Sequence, residues 1–298
     1  MMIHNTVRST LKWLRTLPGN SLFNGFLAGF LCCAMLYSKL EGNYQNRLFR
    51  SLHQSVQAGL VSANSPDSVM VRCMHFSHYL LERRRNLFEN TAVDRGLDPD
   101  FLHPVTVDLM TADGACGSYS IVLANLLRTF GYKVRIAQMQ VRGVFGGHIV
   151  VEADGGRGWV VLDPLYDLCF RRPGGHGLAN FRDVQLDWAS YSPQTPSGYN
   201  PSYRYENVRY TNWQKIPVLM PAAKQLLTLF LGSAAADTFC LRVMVLNVNE
   251  CLFDVLLAIS LLILLVKVFR HIRRRSPTRD AKRSGSTSDW SMPADKRA

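Results

Sequence analysis

No two of the seven cysteines (Cys32, Cys33, Cys73, Cys116, Cys169, Cys240, Cys251) stand in a CxxC spacing, and no regular Cys/His ligand spacing accompanies them. A structural zinc site and a disulfide-dense scaffold are therefore not indicated, and neither metal nor cofactor is expected. Charge is also scarce. Only 19% of residues are charged against 47% hydrophobic, which argues against extended disorder. At 298 residues the chain can bury one sizeable domain with appendages, or two small domains. No internal repeat is visible. Acidic residues are few enough to leave a net charge of +12, but the excess is uneven: residues 267–298 hold ten Lys/Arg against three Asp. A basic block directly behind an apolar run is a membrane flank, facing lipid headgroups, rather than a nucleic-acid surface; no nucleic-acid partner is expected.

Two apolar runs account for that lipid partner. Leu22–Tyr37 follows Arg8, Lys12 and Arg15, as a signal peptide or anchor does, and is short for a span. It lacks an A-x-A cleavage pattern, and Phe30 stands where a lipoprotein signal needs Cys. An uncleaved anchor is favoured over a cleaved signal. The second run, Cys251–Phe269, is apolar without interruption from Val255 to Val266, with Asp254 and Lys267 near its ends where they can snorkel. Basic residues outside both runs predict a two-pass protein with cytoplasmic termini and an exoplasmic middle. A shorter apolar stretch, Leu226–Ala236, is a core helix or an interfacial one.

Between the runs, four-residue spacing of Leu48, Leu52, Val56 and Leu60 predicts a helix over 44–62, and Val69, Cys73, Phe76 and Leu80 predict another over 66–90. Glu82–Arg85 is expected to be a solvated helix end. The stretch 94–104, rich in Asp, Gly and Pro, closes this part. An apolar helix over 115–130, capped by Gly131, precedes strands at 133–141, 148–153 and 158–162, with GVFGG and DGGRG as hairpin turns. A helix followed by an antiparallel meander is an α+β arrangement. Residues 171–213 are irregular and aromatic-rich, suited to stacking on a glycan or peptide or to folding back over the core.

Three short pieces carry chemistry: GACGSYS at 114–120, GGHIVVE at 146–152 and WVVLDP at 159–164. Cys116 falls in a helix's first turn, where free N–H groups and the dipole favour a thiolate and are able to bind an oxyanion. His148, opening a strand after two glycines, is placed to act as base and then acid. Asp163, ending the neighbouring strand, is placed to orient the imidazole. Alternation groups Trp159, Val161 and Asp163 on one face, and His148, Val150 and Glu152 on one face of the other strand. Glu152 and Trp159 are the candidate substrate-binding residues. Cys169 with His176 is a weaker alternative pair.

Over Asp113–Tyr166 the chain resembles the transglutaminase-like superfamily of papain-like folds, in its bacterial membrane-anchored form. The resemblance rests on the Gly-x-Cys helix start, the GYKVRIAQ strand, the His-x-x-x-Glu strand and the Trp-x-x-x-Asp-Pro strand, in family order. It implies Cys116 as nucleophile, His148 as general base and acid, and Asp163 as orienting carboxylate. Family members hydrolyse amides or transfer the acyl group to an amine. The residues flanking Cys116 are Ala115 and Gly117, whereas the calcium-dependent cross-linking members carry Gln and Trp there. Asp113 is placed to cap the helix, which would oppose a thiolate. Taken with the apolar runs and the helical periodicity, the chain is expected to divide into an N-terminus with its anchor (1–40), a helical region (41–105), a transglutaminase-like core with its aromatic loop (106–215), a connecting helical region (216–250), a span (251–269) and a basic tail (270–298). Three activities stay open: an amidase or peptidase acting on an exoplasmic peptide or envelope polymer, an acyltransferase using an amine or hydroxyl acceptor, and a catalytically silent scaffold.

Overall fold

A computed structural model describes residues 21–60, 65–88, 104–175 and 177–275. The N-terminal basic cluster, most of the 94–104 stretch, His176 and the tail beyond Arg275 lie outside the described residues. The chain is α+β. Helices α1 (Ser21–Ala58), α2 (Pro66–Phe88), α3 (Val105–Thr111) and α4 (Cys116–Thr129) precede strands β1 (Lys133–Val141), β2 (Val144–Asp154), β3 (Trp159–Asp163) and β4 (Leu168–Cys169). Two short helices, α5 (Phe181–Leu186) and α6 (Trp188–Tyr191), lead to β5 (Val208–Arg209). Four more helices follow: α7 (Leu219–Leu231), α8 (Ser233–Thr238), α9 (Leu241–Met244) and α10 (Val248–Arg275). The sheet is antiparallel throughout, in the order β4-β3-β2-β1-β5.

Period-two alternation sorts the strand residues onto two buried faces. Ile136, Val151, Ala153, Val160 and Leu162 meet Val122, Leu123 and Leu126 of α4 and, beyond them, Phe49, Val56, Met70, Met74 and Leu81 of α1 and α2. Ala137, Met139, Val150 and Val161 on the reverse face meet Phe170, Phe181, Val184, Tyr191 and Tyr205, so the aromatic-rich stretch folds back over the core.

The anchor and the helix expected at 44–62 are one uninterrupted element. α1 runs about 57 Å without proline. Its first half exposes Leu22, Phe26 and Phe30, while its second half buries Phe49 and Val56 in the core. α1 and α10 are both long and apolar enough to cross a membrane. The chain divides at Phe253 into two compact units, the second being residues 254–298. Within the first unit the first turns of α10 and the residues leading into it are tied to α1: Asn46 Nδ2 donates to Glu250 Oε1 (2.6 Å), Gln45 Nε2 donates to the Leu246 carbonyl, and Lys39 lies over the Phe253 ring.

Three expectations need correction. The first hairpin turn is Arg142–Gly143, both at positive φ as a tight hairpin requires, so only the first glycine of GVFGG belongs to the turn, and Gly146 and Gly147 lie inside β2. Glu82 is not merely solvated, because it accepts from the phenol of fully buried Tyr119 (2.8 Å). α7 is no core helix: none of its residues is buried.

Candidate active site

The backbone around residue 116 is shaped by a small polar chain. Ser118 Oγ donates to Asp108 Oδ1 and accepts from the Gly114 N–H (2.8 Å), fastening the loop before α4 to α3. A Cβ on Gly114 would stand 2.4 Å from that hydroxyl oxygen, so only glycine fits. Ala115, next to the thiol, has φ 44 and ψ −127, a region that costs a non-glycine residue about 1–3 kcal/mol. Strain of that kind persists where surrounding contacts hold it. The helix cap is Ala115, with no side-chain hydrogen bond, so Asp113 does not cap α4; Asp113 is exposed. The Gly117 and Ser118 N–H groups both donate to the Gly114 carbonyl. The Cys116 N–H makes no backbone hydrogen bond among the described residues, which leaves it as the donor available to an oxyanion.

His148 does not open its strand. It sits midway along β2, after an irregularity: Met139 pairs with His148 but Gln140 pairs with Phe145, leaving Gly146 and Gly147 extra. Gly146 takes φ 92, and a Cβ on Gly147 would press within 2.7 Å of Val141. Both glycines are therefore needed to turn the strand and aim the imidazole. One turn beyond Cys116, Ser120 Oγ donates to the Ile149 carbonyl (3.0 Å), locking α4 to the strand beside His148.

His148 Nε2 lies 2.6 Å from Asp163 Oδ2, with both side chains wholly enclosed. A carboxylate only accepts, so Nε2 carries the proton. Asp163 Oδ1 accepts from the Leu165 N–H (3.2 Å), and His78 of α2 donates to the Pro164 carbonyl (3.0 Å), which fixes the backbone that follows the carboxylate. Burial opposes the imidazolium charge, but the Asp163 carboxylate outweighs it; with Cys116 adding to the pull, His148 is pushed up to about 9. Nδ1 is buried without a hydrogen bond of standard geometry, although Cys116 acts on the ring at short range. Catalytic hydrogen bonds are commonly long before substrate binds.

Other cysteines do not share this setting. Burial pushes the Cys73 thiol up to about 12 and also raises Cys169 and Cys240, which suits inert core thiols. All seven are free, so no disulfide joins Cys73, Cys169 and Cys240. His176, the expected partner of Cys169, lies outside the described residues.

Glu152 and Trp159 are placed away from the thiol. Glu152 is four residues along the strand from His148, about 13 Å. Its buried carboxylate accepts from Arg135 Nε (2.8 Å) and from the Tyr210 phenol, while the Arg135 guanidinium lies between the Trp159 and Tyr210 rings. That cluster closes the far end of the sheet and leaves no carboxylate for substrate. Among the described residues no group of His, Cys, Asp and Glu is arranged to hold a metal ion.

Three tyrosines that sequence reasoning did not single out surround the imidazole. Tyr203 stacks on His148, with ring centroids 4.2 Å apart and planes 6° from parallel; Tyr166 meets the same ring edge-on, and Tyr199 packs on both tyrosines. Cys116 acts on Tyr166 and Tyr203 as well, so thiol, imidazole and phenols form one cluster. Only the local density of aromatics hinted at it. Comparison of the chain with protein-family models, with curated proteins and with solved structures finds no match in any of the three.

Proposed function

We propose that the chain is a membrane-anchored thiol enzyme with a papain-like, transglutaminase-like core that cleaves an amide through an acyl-thioester on Cys116. One observation carries the reading: the buried Nδ1 of His148 makes no hydrogen bond of standard geometry, while the ring is acted on at short range by Cys116 at the start of α4 and is fixed by Asp163 through its other nitrogen. Nδ1 takes the thiol proton, and sulfur attacks the carbonyl carbon. The Cys116 N–H receives the developing oxyanion, and the imidazolium returns its proton to the leaving amine. Water, deprotonated by the same nitrogen, then releases the acid. The substrate class is an exoplasmic peptide or envelope polymer.

The aromatic cover favours a second reading. Tyr203, Tyr199 and Tyr166 shield the imidazole on two sides, and a site that excludes water lets an amine or hydroxyl acceptor compete for the thioester. Comparing products with and without added amine separates transfer from hydrolysis.

With α1 and α10 across a bilayer, both termini share one side, and the ten Lys/Arg of residues 267–298 make that side cytoplasmic. Reporter tags at residue 60 and at the C-terminus are expected on opposite sides; a cytoplasmic residue 60 would sink the topology.

Alkylation tests the site itself. Iodoacetamide is expected to label Cys116 faster than it labels an isolated peptide carrying that cysteine at neutral pH, and the advantage is expected to vanish in His148→Ala. Equal rates in protein and peptide would leave a transglutaminase-like module without activity, acting as a scaffold.

A further inference from the structure

Residues 216–238 form an apolar helical hairpin that, among the described residues, buries only Ala236. Leu226, Leu229, Phe230 and Leu231 are 58%, 77%, 78% and 55% exposed, and Ile216, Val218 and Leu219 join them. α7 and α8 pack on each other through the turn at Gly232. So large a continuous apolar surface has an occupant.

Three features identify that occupant as lipid. The first is charge: the only charged residues between Ile216 and Thr238 are Lys224 and Asp237, and they form an ion pair at 2.8 Å, so the hairpin carries no net charge. The second is internal hydrogen bonding. At the turn, the Gly232 N–H donates to the Thr228 carbonyl and the Gly232 carbonyl accepts from the Ala236 N–H, while the Thr228 and Thr238 hydroxyls return to the Lys224 and Ala234 carbonyls. Pairing the turn's backbone groups and both threonine hydroxyls within the segment is what hydrocarbon demands. The third is location along the chain. The base of the hairpin is held to the domain by Thr211, which donates to the Phe239 carbonyl and accepts from the Leu241 N–H, and ten residues later α10 begins.

We propose that the α7–α8 hairpin is embedded in the bilayer leaflet facing the domain, as a third membrane attachment that returns to the side it entered. Its length fits: α7 runs about 20 Å, too short for a hydrocarbon core of about 30 Å but long enough to enter one leaflet. The proposal rests on the membrane reading of α1 and α10.

The test places a benzophenone amino acid at Phe230, at Leu262 in α10 or at Leu186, an exposed apolar residue on α5, in the full chain reconstituted in phospholipid vesicles. After illumination, phospholipid adducts are expected at 230 and 262 and not at 186. An adduct at 262 with none at 230 overturns the hairpin and leaves the spans intact. No adduct at either position removes the membrane reading and the hairpin with it, and a protein adduct at 230 assigns the apolar surface to a protein partner instead. A Leu229→Glu, Phe230→Glu variant with the probe at Leu226 is expected to lose its lipid adduct without losing melting temperature; a retained adduct counts against the proposal.

Discussion

Tyr203 lies flat on His148, 4.2 Å between ring centroids, and the imidazole beneath it is 0% exposed. In the reaction proposed above, a substrate carbonyl would pass beside this stack to reach Cys116, so the segment around Tyr203 would control access to the thiol as well as hold the ring.

Removing that ring is expected to loosen the cover. An aromatic pair contributes about 1 kcal/mol beyond its buried area, so Tyr203→Ala should raise the open population about fivefold and speed alkylation of Cys116 by a similar factor. Tyr203→Phe, which keeps the stack, should stay near the parent rate. Timed labelling followed by peptide mass spectrometry distinguishes them; identical rates in all three would show that Tyr203 gates nothing.

The His148–Asp163 pair makes stability depend on pH in a set direction. His148 titrates near 9 when folded, above its ordinary value of about 6.5. Its contribution is complete below pH 6.5 and is lost as pH rises through 9. Asp163→Asn is expected to abolish this alkaline loss, seen as melting temperatures at pH 6, 8 and 10, and to lower turnover by about three to four orders of magnitude through the wrong tautomer.

How much of this was legible in the residues depends on the range of each interaction. Cys116, His148 and Asp163 announce themselves locally, by a glycine-flanked helix start and by alternation in two neighbouring strands. Tyr203 touches His148 across 55 positions, and Tyr119 finds Glu82 across 37, so no periodicity foretells either. The two glycines before His148 read as a turn because glycine serves turns and strand irregularities alike, here by a positive φ at Gly146 and a close approach to Val141 at Gly147; the pairing of Met139 with His148 decides between them. The change from apolar to polar composition near residue 40 looked like a boundary, but α1 changes surroundings there without changing conformation.

Ala115 offers a test of stored strain. Ala115→Gly is expected to stabilise the protein by about 1 kcal/mol, because glycine accepts φ 44 freely, whereas Ala115→Val should destabilise it. Denaturant midpoints at constant slope would show this. A less stable glycine variant would mean that the conformation at 115 carries no strain.

Glu152 belongs to a buried ion pair, so its loss should be felt in folding. Glu152→Ala strands Arg135 and is expected to cost about 3–5 kcal/mol, while the alkylation rate of Cys116 in the folded fraction stays unchanged. An unaltered melting temperature with a weakened substrate affinity would instead restore Glu152 to the binding surface.

The uninterrupted run of α1 has a mechanical side. A helix of 38 residues with no proline lacks the commonest cause of a sharp kink, which favours its two halves tilting together. Its second half packs against α4, the helix that begins with Cys116. With the first half in a bilayer as proposed, a tilt imposed by lipid thickness would reach the helix bearing the Cys116 sulfur as torque, which would couple the proposed nucleophile to the thickness of the membrane.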